Sequence, residues 1–278
     1  NELVAYLKQQ PGDSKYLWLP LNTAGYIQIA DAKLPHHYYS GPSPLRFLAD
    51  KSDYTGRFSF GPQAVGDRLF QDIIEGNFDE VSKLFRTMNI GYVIVNNDLS
   101  RDIINSYLYG IYSRGDLYHA QWHLLKPLIL GEHVHDFGKR YSLYKIKPDL
   151  YLSKIHLAES AMGGSKVKWR KVSSSEYTLT LGGLDGLAQL VFHEPFHGEW
   201  ELTTTSGKKL TPPLAQHTSN YGYANVWQLD SASLVASLPQ SDYSRAPDGS
   251  LSLDLQLQFA PSRWLPYGFW VSGAMLVA

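Results

Sequence analysis

Apolar and polar positions along the chain change their period near residue 150. Before it, helical spacing alternates with short apolar runs. Residues 1–10 predict a short helix closed by Pro11-Gly12, and residues 16–19 a short strand. In 64–74, Val65, Leu69, Phe70, Ile73 and Ile74 recur at helical spacing. Val81, Leu84, Phe85 and Met88 do so in 79–88, with Asn89 at the C-terminal end. GYVIV at 91–95 is a near-continuous apolar run, the pattern of a strand covered on both faces. Asp98 or Ser100 would cap a helix over 100–111. This helix–strand–helix order predicts an α/β layer. Alternation over 131–137 predicts a strand with His133 and His135 on one face and Asp136 on the other. RYSLYKI at 140–146 would pair with it across Gly138-Lys139. Residues 20–60, with repeated Pro and Tyr and the pair His36-His37, read as a long packed loop.

From residue 151 the pattern becomes short strands separated by turn residues. The predicted strands are 152–157, 167–172, 176–181, 187–192, 199–204, 221–229 and 251–259, the signature of a sandwich or jelly roll. The expected fold class is therefore α+β in two domains. An α/β layered domain spans 1–147. A jelly-roll-like sandwich resembling carbohydrate-binding modules spans 148–262. Residues 263–278 are expected to start a truncated transmembrane helix, because WLPYGFWVSGAMLVA carries no charge. Trp264, Tyr267 and Trp270 stand where an interfacial aromatic belt belongs, with Arg263 outside it. A first residue other than Met fits the same expectation of a piece cut from a longer membrane protein.

Composition narrows the function classes. The formal net charge is −1 over 278 residues, with no long basic run, so nucleic acid is not an expected partner. The chain has no Cys, which excludes disulfides and thiolate zinc sites and permits an extracytoplasmic location.

Candidate chemistry clusters in the second half. His193, Glu194 and His197 fit H-E-x-x-H, in which a helix puts two His on one metal and the Glu beside its water. A zinc hydrolase is thus an alternative. Pro195 and Gly198, between strand-like flanks, argue instead for two strands joined by a turn. The expected site holds no metal ligand set. No cofactor is expected apart from a structural calcium ion in a sandwich loop, for which Asp185, Asp230 and Asp242 are the candidates. Asn96, Asn97 and Asp98 follow a buried strand, where ligand sites form, although turn and cap chemistry explains them too. Trp200, Tyr221, Tyr223, Asn225 and Trp227, with His193 and His197, form the expected ligand-binding set. Aromatic faces stack on sugars, and Asn both donates to and accepts from hydroxyls. Alternation would put Tyr221, Tyr223, Asn225 and Trp227 on one strand face. That face could equally be the interior, with Asn225 bonded to backbone.

LVFHEPFHGEW at 190–200 followed by HTSNYGYANVW at 217–227 resembles a two-part pattern in bacterial and archaeal polytopic membrane proteins. FRTMNIGYVIVNND at 85–98 and RYSLYKI at 140–146 are similar to two of their strands. Glu199 between Gly198 and Trp200, and Ser219-Asn220-Tyr221-Gly222 in place of a plain N-G, depart from the pattern. The proteins resembled are GT-C-class membrane glycosyltransferases, arabinofuranosyltransferase-like ones among them. The resemblance implies a polyprenyl-phosphate sugar donor and a cell-envelope glycan or glycolipid acceptor. It also implies a catalytic carboxylate outside this chain, so no catalytic residue is assigned here. The chain would be an extracytoplasmic accessory region at the cell membrane, held by flanking transmembrane helices. A non-catalytic scaffold or protein-interaction domain is the alternative.

Overall fold

The computed structural model describes residues 2–10, 14–19, 27–28, 38–39, 45, 48–49, 51–54, 68–69, 71–73, 75–97, 123–124, 126–158, 166–220, 223–264 and 267–268. The fold is mostly β, in several sheets, consistent with the expected α+β class. It separates into two compact units: residues 1–154 with Tyr221–Tyr223, and residues 155–220 with 224–278.

The first unit opens with α1 (Glu2–Gln9) and β1 (Lys15–Leu19). The two-residue strands β2 (Ile27–Gln28) and β3 (Tyr38–Tyr39) pair with each other, and β4 (Asp53–Tyr54) joins β1. Then come α2 (Phe78–Met88), β5 (Ile90–Asn96), β6 (Leu130–Phe137) and β7 (Tyr141–Ile146). The sheet order is β4-β1-β5-β7-β6, parallel at β4/β1/β5 and antiparallel beyond. All of β1 is buried, as a strand covered on both faces must be. Leu3 and Leu7 of α1 share a cluster with Tyr16, Trp18, Ile94 and Leu143. Helix α2 buries Val81, Leu84, Phe85 and Met88, the stripe its spacing predicts. It ends where Asn89 turns left-handed (φ 54°) and returns its N–H to the Arg86 and Phe85 carbonyls.

Sequence alternation fails at β6. Its pairing with β7 shifts register between Leu130 and His133 and again between His133 and His135. These bulges break the period of two. His133 bonds Asp136 (2.9 Å) and meets the Tyr144 ring, whereas His135 stacks on Tyr6. The expected face shared by His133 and His135, with Asp136 opposite, is thus corrected. The expected helix over 100–111, the His36-His37 pair and most of 20–60 lie outside the described residues.

The second unit contains β8 (Ile155–Leu157), β9 (Lys166–Ser173), β10 (Glu176–Leu184), β11 (Leu187–Phe192), β12 (Trp200–Thr204), β13 (Ala215–Asn220) and β14 (Ala224–Asp230). Helix α3 (Ser231–Ser237), β15 (Tyr243–Arg245) and β16 (Leu251–Phe259) complete it. One antiparallel sheet runs β12-β16-β10-β9, with β15 also on β16; the other runs β13-β14-β11-β8. In β16, Leu251, Leu253, Leu255 and Leu257 point inward while Asp254 and Gln256 are exposed, strict alternation with one buried face. A single buried cluster draws Tyr177, Leu179, Leu255, Leu190, Phe192 and Trp227 from both sheets. Pairing of β10 with β16 slips by one residue after Leu181. Gly183 (φ 73°) makes that bulge, and Leu184 returns to the core.

One expectation changes here. The strand expected over 221–229 is described from Ala224, as β14, and its antiparallel partner is the unexpected β13, from Ala215↔Leu229 to Asn220↔Ala224. Strands β11 and β12 are joined by a short non-helical segment, as expected, and lie in different sheets. Of the expected span over 263–278, residues 265–266 and 269–278 lie outside the described residues. Ala260–Trp264 is a 3-10 helix. Among the described residues no helix is long and apolar enough to cross a membrane.

Candidate functional site

The loop 193–199 carries the HEPFH motif from β11 in one sheet to β12 in the other. It is not a helix. Pro195 could not donate a helical hydrogen bond, and nothing here builds the i, i+4 face that a zinc pair needs. The two His separate accordingly. His193 is buried, and its Nε2 lies 3.2 Å from His156 Nδ1 with the rings stacked. His197 is exposed. Its Nδ1 accepts the Glu199 N–H (3.2 Å) and its ring stands edge-on to Phe259. No group of three or more His, Asp or Glu that could hold a metal occurs among the described residues.

Asn225 holds the loop in place. Its Nδ2 donates to the Glu194 carbonyl (2.9 Å) and the Pro195 carbonyl (3.4 Å). Its Oδ1 accepts the His197 backbone N–H (3.2 Å) and His217 Nε2 (3.1 Å). Both donors and both lone pairs of the amide are thereby used. Because that oxygen can only accept, His217 carries its proton on Nε2. The His217 ring stacks flat on Trp227 (4.3 Å, 5°) and faces Phe196 (5.1 Å). Burial pushes the His217 pKa below its ordinary value, against the opposing pull of the Asn225 bond.

The expected ligand set is thus placed unevenly. Trp227 is 1% exposed and Asn225 fully buried, so neither presents a face to solvent; both are interior, as period-two burial of that side of β14 requires. Trp200 is half-buried against Phe192 and Phe259. Tyr223 is buried within the first unit, its hydroxyl bonded by Lys15. Tyr221 lies outside the described residues. What the loop does expose is Phe196 (39%), His197 and Glu199. Phe196 was not an expected site residue. Its position inside the motif was the available signal.

Three other candidates, Asp230, Asp242 and Asn97, are engaged structurally. Asp230 caps α3, accepting from the Ala232 and Ser233 N–H groups. Its pKa is held down by the Ser233 hydroxyl and then by those backbone bonds. Asp242 accepts from the Ser206 hydroxyl (2.6 Å). Asn97 bonds Ser142 (2.8 Å), and Asp98 lies outside the described residues. No family model matches the chain, and no curated protein and no solved structure matches it significantly.

Proposed function

We propose that this chain is an accessory region of a GT-C-class membrane glycosyltransferase, on the extracytoplasmic face of the cell membrane. In this reading the catalytic carboxylate and the polyprenyl-phosphate donor site lie elsewhere in a larger protein. The first unit is an α/β layer. The second is a two-layer sandwich of the jelly-roll-like, carbohydrate-binding-module-like kind, and residues 263–278 lead into the bilayer. The role is to seat a cell-envelope glycan acceptor against the 193–199 loop. One observation carries the reading. The two segments of the resembled pattern, at 190–200 and 217–227, meet through three Asn225 hydrogen bonds and the His217–Phe196 contact. That arrangement fixes the exposed Phe196 ring against the His217 imidazole, an aromatic face beside a polar edge that suits sugar.

Burial of Trp227 and Asn225 favours a second reading, a scaffold or protein-interaction domain without sugar affinity. A ¹H–¹⁵N titration with neutral cell-envelope polysaccharides separates the two. The glycan reading expects shifts confined to 196–199 and His217, and their loss in Phe196→Ser. An absence of shifts with every glycan would sink it in favour of the scaffold.

A further inference from the structure

Strand β9 lies at the edge of its sheet, and its sequence KVKWRKVS divides sharply by face. Val167 and Trp169 pack on the core of the second unit. Lys166, Lys168 and Arg170 point the other way and are exposed. At ~3.4 Å per residue these cations stand about 7 Å apart in a straight row. None of them meets a carboxylate among the described residues. The row continues across the sheet as hydrogen-bonding side chains. Lys168 is level with Thr180, and Arg170 with Thr178 and, beyond it, Gln256. Acids also stand on this face away from the β9 row: Glu176 begins β10, Asp254 on β16 accepts from Thr180 (2.7 Å), and Glu201 is paired with both Lys209 and Arg263.

We propose that this outer sheet face binds an anionic polysaccharide, its acidic groups lying along Lys166, Lys168 and Arg170 and its hydroxyls over the Thr and Gln rows. The inference is independent of the glycosyltransferase reading and concerns a different surface from the 193–199 loop. Charge complementarity selects the sign of the ligand, and side-chain chemistry selects its class. A nucleic-acid strand needs exposed rings on which bases stack, and Trp169 is turned to the core. A lipid surface needs a cluster of apolar side chains to insert, and beside the exposed Val172 the described part of the face offers hydroxyls and amides. Lysines on an edge strand also discourage pairing with a second sheet, but that role predicts no ligand and no salt-dependent affinity.

The test uses the whole chain and polygalacturonate as probe, with neutral dextran, single-stranded poly-dT and phosphatidylglycerol vesicles alongside. Expected is binding to polygalacturonate at low salt, weakening linearly in log affinity with log salt, and none to dextran. The triple change Lys166→Gln, Lys168→Gln, Arg170→Gln should weaken binding at least tenfold and flatten the salt slope by about one per cation removed. The charge-keeping triple Lys166→Arg, Lys168→Arg, Arg170→Lys should retain it, and Phe196→Ser should not affect it. Unaltered melting of the neutral triple shows that lost binding is not lost folding. If that triple melts early, the single Lys168→Gln is used, with a loss of about threefold expected. The proposal is overturned by undiminished binding in the neutralised variant, by no binding to polygalacturonate, or by tighter binding to poly-dT or vesicles.

Discussion

At the scale of single residues, Asn225 is the most heavily committed side chain in the loop region. It lies in β14 but bonds to 194, 195 and 197 in a loop nearly thirty residues earlier, and to His217 on β13. Replacing it with Asp keeps the shape and removes both donors, turning carboxylate oxygens toward two carbonyls in a fully buried place. Asn225→Asp should therefore cost about 3 kcal/mol in urea unfolding; a loss below ~1 kcal/mol would mean the amide is not the brace described. His217 makes a pH-dependent contribution. Its folded pKa lies below the ordinary value of about 6.5, so the unfolded chain holds more protons between the two. Stability from this group is present above pH ~6.5, falls as pH drops toward the folded pKa, and changes no further below it. His217→Gln keeps an N–H donor and cannot titrate. Unfolding free energies of the two proteins should run parallel above pH 7 and diverge below 6.5, and parallel curves throughout would refute the assignment.

At the scale of elements, what the sequence discloses depends on whether one face alone is buried. Strand β16 alternates leucine with polar residues because a single face meets the core, and α2 announces itself by the same logic. Strand β13, AQHTSN, has no such signal. Its inward residues include Ala215 and His217, and the imidazole fills space against Trp227 that an apolar side chain normally takes. The start of β14 at Ala224 was hidden for the opposite reason: alternating tyrosines at 221 and 223 continue its strand-like pattern toward the N-terminus. Bulges are equally silent in a period-two reading, so β6 keeps its place in the sheet while His133 and His135 take different partners. The candidate site follows the same division. Pro195 and Gly198 disclose that HEPFH is a loop, but no local pattern reveals that Asn225 braces it. Nor does any local pattern reveal that β11 and β12 belong to different sheets, because both facts depend on pairings far apart in sequence.

At the scale of the whole molecule, the described residues contain separate buried clusters. One gathers α1, β1, β5 and β7 around Trp18; the other gathers both sheets of the second unit around Trp227 and Tyr177. Neither cluster shares a residue with the other. Cooperativity in unfolding follows contiguous packing, so clusters confined to different compact units imply separate melting events. The two compact units make this specific. Leu255→Ala removes a fully buried side chain from the second cluster and should lower one calorimetric transition by the equivalent of 2–5 kcal/mol. Leu7→Ala should lower the other by a similar amount. Each substitution should leave its neighbour's transition within the ~0.5 kcal/mol expected of independent sites. A single transition in the parent protein, moved equally by both changes, would show one cooperative unit. It would rule out treating the loop region and the β9 face as properties of a domain that folds by itself.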